Sequence, residues 1–152
     1  LTQTNFKGLS SLSSMPELTQ NYDYDYVGNL LSMQSNFGNL FYSYNANNQL
    51  TALSNSFGDN FNFNYDDTGR LTRVIRPNGY SDFSYHNSGQ LASIEHRLNG
   101  VIKSFNQYQY DQRNFITQKT TQAAAFNYQY DNNAQLTSAT NPLGTTENFS
   151  YD

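Results

Sequence analysis

Tyr65-Asp66-Asp67-Thr68-Gly69-Arg70-Leu71-Thr72, followed by Pro77-Asn78-Gly79, carries the pattern on which the architecture rests. Phe63 stands two residues ahead of Tyr65, with Asn64 between them. Aromatic rings at every second position share one face of a β-strand, and the polar residue between them takes the other. Asp66 is suited to accept hydrogen bonds from turn amides, and Gly69 to adopt positive φ. A type I turn followed by a left-handed residue is a common hairpin connection. Leu71 then opens a return strand, which Pro77-Asn78-Gly79 closes with a second turn.

Working outward, the same pattern recurs in phase. The anchors Tyr24, Tyr44, Tyr65, Tyr85, Tyr110, Tyr130 and Tyr151 lie 20, 21, 20, 25, 20 and 21 residues apart. Each is preceded at period 2 by Tyr22, Tyr42, Phe63, Phe83, Tyr108, Tyr128 or Phe149, with a polar residue in between. The left-handed turn position holds Gly28, Asn48, Gly69, Gly89, Asn114 and Ala134, and Ala134 is the poor fit because a Cβ is strained there. Leu30, Leu50, Leu71, Leu91, Ile116 and Leu136 open the return strands. Phe37-Gly38, Phe57-Gly58, Pro77-Asn78-Gly79, Asn99-Gly100 and Pro142-Leu143-Gly144 close them. Six two-stranded units in a row predict an all-β chain of about a dozen strands, one antiparallel sheet that must curl at that width. Such a sheet has one packed and one wet face.

Composition fits this pattern. Of 152 residues, 22 are Asn and 12 Gln, more than the 20 Asp, Glu, Lys and Arg together, and 16% are aromatic. Prion-like disorder has no reason to hold a fixed register, so the repeat displaces that reading. No apolar run is long enough to span a bilayer. A net charge of −4 excludes a nucleic-acid surface, and the short basic run Arg70, Arg73 and Arg76 sits beside Asp66 and Asp67. Absence of Cys removes disulfides and thiol chemistry. Two segments break the pattern: Gln118–Phe126, whose Ala123-Ala124-Ala125 could form a turn of helix, reads from its place between strands as a longer hairpin loop, and Phe6–Thr19 lacks an anchor.

The Tyr-Asp-x-x-Gly-Arg-Leu-Thr core at Tyr65–Thr72, with its degenerate copies over about residues 20 to 152, resembles the YD repeat of the RHS family. That family comprises bacterial Rhs toxins, the C components of Tc toxins, wall-associated contact-inhibition proteins and teneurins. The resemblance implies a strip of sheet closing as a hollow shell, secreted or at a cell surface. In the toxins such a shell encloses a toxic C-terminal domain; in teneurins it is part of an adhesion receptor. On this reading residues 1–19 are a partial or irregular lead-in, and 20–152 are six repeats and the start of a seventh, cut from a longer array. The partners are neighbouring repeats of the same longer chain and an enclosed C-terminal effector, with self-association through open sheet edges.

No residue pattern points to catalysis. His86 replaces the Asp of its turn and reads as a turn residue. His96 lies in the one unit that is longer by about five residues, and Glu95–Phe105 reads as a lengthened hairpin, either tolerated or in contact with a partner. No Ser stands in a nucleophile elbow and no His pair has zinc spacing. Asp23, Asp25, Asp66 and Asp67 raise calcium, but each is explained by its own turn, and the Glu that closes a calcium loop is missing. No cofactor or metal is expected. The Asp-Pro-x-Gly segment of the family's self-cleaving centre does not occur. The competing reading is adhesion: a wet face of Tyr, Asn and Gln suits glycans or surface proteins. Exposure of Tyr65, Tyr85, Tyr110 and Tyr130 along a groove would favour it; burial would favour a scaffold.

Overall fold

A computed structural model describes the backbone of residues 2–5 and residues 19–152 in full. Every regular element among them is a β-strand. The chain divides into two compact units, Leu1–Pro77 and Asn78–Asp152. The first holds β1 (Thr2–Asn5), β2 (Thr19–Tyr24), β3 (Leu30–Ser35), β4 (Gly38–Tyr44), β5 (Leu50–Asn55), β6 (Asn60–Tyr65) and β7 (Leu71–Arg76). The second holds β8 (Gly79–Tyr85), β9 (Leu91–Leu98), β10 (Val101–Tyr110), β11 (Ile116–Thr121), β12 (Ala125–Tyr130), β13 (Leu136–Thr140) and β14 (Thr146–Asn148). Within each unit the strands lie side by side in sequence order, antiparallel throughout. The lead-in segment therefore contributes β1, paired with β2; residues 6–18 lie outside the described residues.

The repeat boundaries coincide with the strand ends. Every anchor from Tyr24 to Tyr130 is the last residue of its strand, and every Leu or Ile after the turn is the first residue of the next. One expectation is corrected: Gln118–Phe126 is not a long loop. β11 runs on to Thr121 and β12 begins at Ala125, the chain reversing at Gln122-Ala123 with Thr121 N–H donating to Ala124 O at 2.7 Å.

A second feature repeats with the anchors. In the first unit, Tyr44 pairs with Leu50, but Ser43 pairs with Ala52, so Thr51 is an extra residue that bulges from its strand. The same shift occurs beside Tyr24, Tyr65, Tyr85, Tyr110 and Tyr130. Its consequence is a change of period. The anchor strand presents Tyr42 and Tyr44 two residues apart, while the return strand answers with Leu53 and Leu50 three apart. A bulge is how two rows of different spacing share one face. Phe63 and Tyr65 likewise meet Val74 and Leu71, and Phe83 and Tyr85 meet Ile94 and Leu91.

This face is stacked laterally rather than covered. No hydrophobic side chain among the described residues is fully buried, and the buried residues are Ser32, Ser81 and Ser138. Cross-strand rows such as Tyr42–Leu53–Phe61 shield one another edge to edge, which leaves most of them half-buried. The expected packed face is thus packed only within the sheet. Gly79 marks the tightest backbone approach, since a Cβ there would collide with Arg97 O.

Candidate functional site

The recurring arrangement is the turn after each anchor. Asp66 N–H donates to Arg70 O at 2.9 Å, and Gly69 N–H donates to Asp66 O at 2.9 Å, which closes the turn. Inside it, Asp66 Oδ1 accepts from Thr68 N at 2.9 Å, Arg70 N at 3.0 Å and Thr68 Oγ1 at 2.7 Å, while Oδ2 accepts from Arg70 Nε at 2.7 Å. Asp25, Asp111 and Asp131 each take the amides two and four residues on in the same way. Asn45 does so with its neutral amide oxygen, at 2.9 and 3.0 Å. The left-handed residue follows in each: Gly28 (φ 95°), Asn48 (59°), Gly69 (85°), Gly89 (95°), Asn114 (71°) and Ala134 (68°).

The turns at Phe57-Gly58 and Pro142-Leu143-Gly144 use acceptors that the repeat pattern did not single out. At Asn55 and Asn141, on the opposite ends of the strands, the same turn is built: Asn55 Oδ1 accepts from Phe57 N and Asp59 N, and Asn141 Oδ1 from Leu143 N and Thr145 N. The signal was present as Asn-x-x-Gly at Asn55–Gly58 and Asn141–Gly144. At His86 the backbone turn forms without a carboxylate. Its ring is directed to the next repeat, where Nε2–H donates to Tyr108 O at 3.0 Å and the ring meets Tyr110 edge-on at 5.9 Å.

Within each unit, polar groups tie repeats to their neighbours. The hydroxyls of Tyr44, Tyr65 and Tyr110 donate to the carbonyls of Leu30, Leu50 and Leu91, the residues that open the preceding return strand, at 3.1, 2.8 and 3.0 Å. At three of the repeats the residue five after the anchor reaches forward instead. Asn29 Nδ2 donates to Asn48 Oδ1 at 2.9 Å, Gln49 Nε2 to Gly69 O at 2.8 Å, and Gln90 Nε2 to Asn114 Oδ1. At this position Phe115 stacks on Tyr130 at 5.0 Å, and Arg113 beside it donates to Asp131 O at 2.5 Å while lying over the Phe115 ring. Asn29, Asn48, Gln49, Gln90 and Asn114 thus form a seam that joins successive turns.

The electrostatics follow from these bonds. Hydrogen bonds from the Arg70 backbone and the Thr68 side chain hold the Asp66 carboxyl far below the usual 3.8. A hydrogen bond from the Phe115 backbone lowers the Asp111 carboxyl. Burial works to raise Asp25, but hydrogen bonds from Asn29, Val27 and Gly28 outweigh it and the carboxyl is lowered. Burial, with Tyr42, Tyr108 and Tyr128 adding to it, raises the phenols of Tyr44, Tyr110 and Tyr130 above 10.0. Tyr24 and Tyr151 are exposed at 48% and 51%, whereas Tyr44, Tyr65, Tyr85, Tyr110 and Tyr130 are half-buried.

Candidate chemistry outside the turns is structural in its geometry. Ser81 Oγ and His96 Nδ1 share a hydrogen bond of 2.6 Å across paired strands. Ser81 is 1% exposed, so no substrate reaches its hydroxyl. Asp82 and Glu95 form the next cross-strand pair and so point to the other face. Glu95 is engaged by Arg97 at 2.7 Å, and hydrogen bonding to it raises the guanidinium. No group of three or more His, Asp or Glu able to hold a metal occurs among the described residues, and no helix there is long and apolar enough to cross a membrane.

The Teneurin YD-shell family model matches residues 5–99. No curated protein matches the sequence. Among solved structures, TcdB2-TccC3 without its hypervariable C-terminal region aligns at a TM-score of 0.72 and 19% identity over 90% of this chain and 8% of that one. TcdB2-TccC3-Cdc42 aligns at 0.71 and 20% identity, over 82% of this chain and 7% of the other. A Tc holotoxin pore of Photorhabdus luminescens with a mutant TccC3 aligns at 0.70 and 20% identity, with the same shares. The chain thus spans less than a tenth of the length of each of these chains.

Proposed function

The chain belongs to the Teneurin YD-shell family, and from that premise we propose that it is a non-catalytic wall segment of a β-shell that encloses a C-terminal effector domain of a secreted or cell-surface toxin. The observation that carries this reading is the direction of the polar groups. The hydroxyls of Tyr44, Tyr65 and Tyr110 and the amides of Asn29, Gln49 and Gln90 are engaged by the adjacent repeat, which is what a wall needs and what a ligand platform cannot spare. The likeness to TcdB2-TccC3 lacking its hypervariable C-terminal region adds support, because the shared part is not that region. Half-burial of Tyr65, Tyr85, Tyr110 and Tyr130 weighs against a glycan groove.

The test is limited proteolysis of the full-length protein, comparing wild type with the double variant Tyr65→Ser and Tyr110→Ser, which cuts two inter-repeat ties. The expected result is a C-terminal domain that resists protease in the wild type and is cleaved at least about tenfold faster in the variant, as local opening of the wall admits the protease. Equal cleavage in both, or specific hits on a glycan array, would replace encapsulation with adhesion.

A further inference from the structure

The lengthened unit leaves a step in the sheet. β9 and β10 are joined by Asn99 (φ 51°) and Gly100 (φ 78°), a two-residue hairpin turn of the I′ kind. β10 pairs with β9 from Val101 onward, but its ladder with β11 begins only at Asn106, which meets Thr121. The β11–β12 hairpin has already turned back at Gln122-Ala123. Among the described residues, Val101–Phe105 therefore carries a strand partner on one side only. Five residues make an open edge of about 17 Å. By the alternation of an antiparallel ladder, about half of their N–H and C=O groups point to the open side. β11 ends at Thr121, and Gln122, Ala123 and Ala124 make the reversal that follows it.

A bare edge in the interior of a sheet is either protected or used. Lys103 is exposed, is the residue at which β10 shifts register, and has no acidic partner among the described residues. A bulge and a lysine are the devices that keep stray strands off an edge. A strand with a carboxylate opposite Lys103 would gain both the backbone bonds and an ion pair, whereas a basic one would meet like charge. Val101, at 58%, and Leu98, at 41%, add exposed apolar contact at the tip of the same hairpin.

We propose that Val101–Phe105 is a docking edge for an extended segment of a partner polypeptide, about five residues long, that adds as a strand beside β10 and sets an acidic side chain against Lys103. Main-chain bonds supply the affinity in this mode and side chains the selection. The site is separate from the turns and from the aromatic face, so it stands whether or not the shell encloses an effector.

The test uses the 15N-labelled chain and the acetylated, amidated pentapeptide Thr-Val-Glu-Val-Thr, with amide hydrogen exchange read by NMR. The expected result is exchange slowed at least tenfold at amides within Val101–Phe105 on saturation with peptide. Lys103→Glu, an exposed position whose change leaves the turn resonances in place, weakens binding by about tenfold or more through like-charge opposition. Thr-Val-Lys-Val-Thr restores binding to that variant. The proposal is overturned if no amide there slows, if protection falls on β14 instead, or if Lys103→Glu binds the original peptide as well as wild type. Protection of the same amides without peptide, rising with protein concentration, overturns it in favour of pairing between copies.

Discussion

At Asn45, Asn55 and Asn141 a neutral amide oxygen accepts the same two backbone hydrogens that carboxylates accept at Asp25, Asp66, Asp111 and Asp131. Amide and carboxylate serve that place alike, so the side chain acts there as an acceptor rather than as a charge, and at His86 the backbone turn closes without either. The turn does not tolerate a Cβ at the left-handed position without cost. Ala134 sits at φ 68°, where an L side chain crowds the following carbonyl. Ala134→Gly is therefore expected to raise stability by about 0.5–1 kcal/mol, the relief of strain exceeding the added entropy of the unfolded chain. Urea denaturation followed by circular dichroism checks it, and an unchanged or lower midpoint would show that the turn stores no strain. The sequence already marks Ala134 as the misfit, because the demand for positive φ is set by residues three apart. The outward turn of the His86 ring was not legible, since its acceptor, Tyr108 O, lies 22 residues away.

At the level of the hairpin, the bulge after each opening Leu decides which side chains reach the aromatic face. Leu53, not Ala52, stands opposite Tyr42. The double change Ala52→Leu with Leu53→Ala keeps composition and hydrophobicity but moves the apolar group to the other face. It is expected to cost about 1–2 kcal/mol, the value of a half-buried leucine, and to be no more stable than Leu53→Ala alone. Thermal unfolding of the three proteins decides the matter; rescue of Leu53→Ala by the added Ala52→Leu change would mean that the strand is regular and the bulge dispensable. The strand ends were readable because an anchor Tyr and a Leu bracket every turn. The bulge left only an indirect mark, the Leu-x-x-apolar spacing at Leu50–Leu53, Leu71–Val74 and Leu91–Ile94. The tight reversal at Gln122-Ala123 left none, since it contains no Gly, Asn, Asp or Pro to announce it and is held by backbone bonds between Thr121 and Ala124.

For the molecule as a whole, the same turns and rings set the limits of pH over which it is stable. Asp25, Asp66 and Asp111 are held below 3.8, so their contribution is complete above that value and is lost as pH falls through the lowered ones. Tyr44, Tyr110 and Tyr130 are held above 10.0, so theirs is complete below that value and is lost as pH rises through the raised ones. The denaturant midpoint should run flat from roughly pH 5 to 9 and fall on both sides. Asp66→Asn should make the acid limb shallower and leave the alkaline limb unchanged. A midpoint that keeps falling across the neutral range, or an acid limb indifferent to Asp66, would contradict this assignment. The period, the alternation of faces, the turn residues and the strand ends can all be read from consecutive residues. Each follows from chirality and backbone dihedrals over a few consecutive residues, and so can be read along the chain. Only the tertiary structure decided the rest: the depth to which the rings are covered, the seam of tyrosine hydroxyls and amides between repeats, and the open step beside Val101–Phe105. These depend on how far one hairpin is offset against the next, and that offset is set by pairing between whole strands rather than by any few consecutive residues.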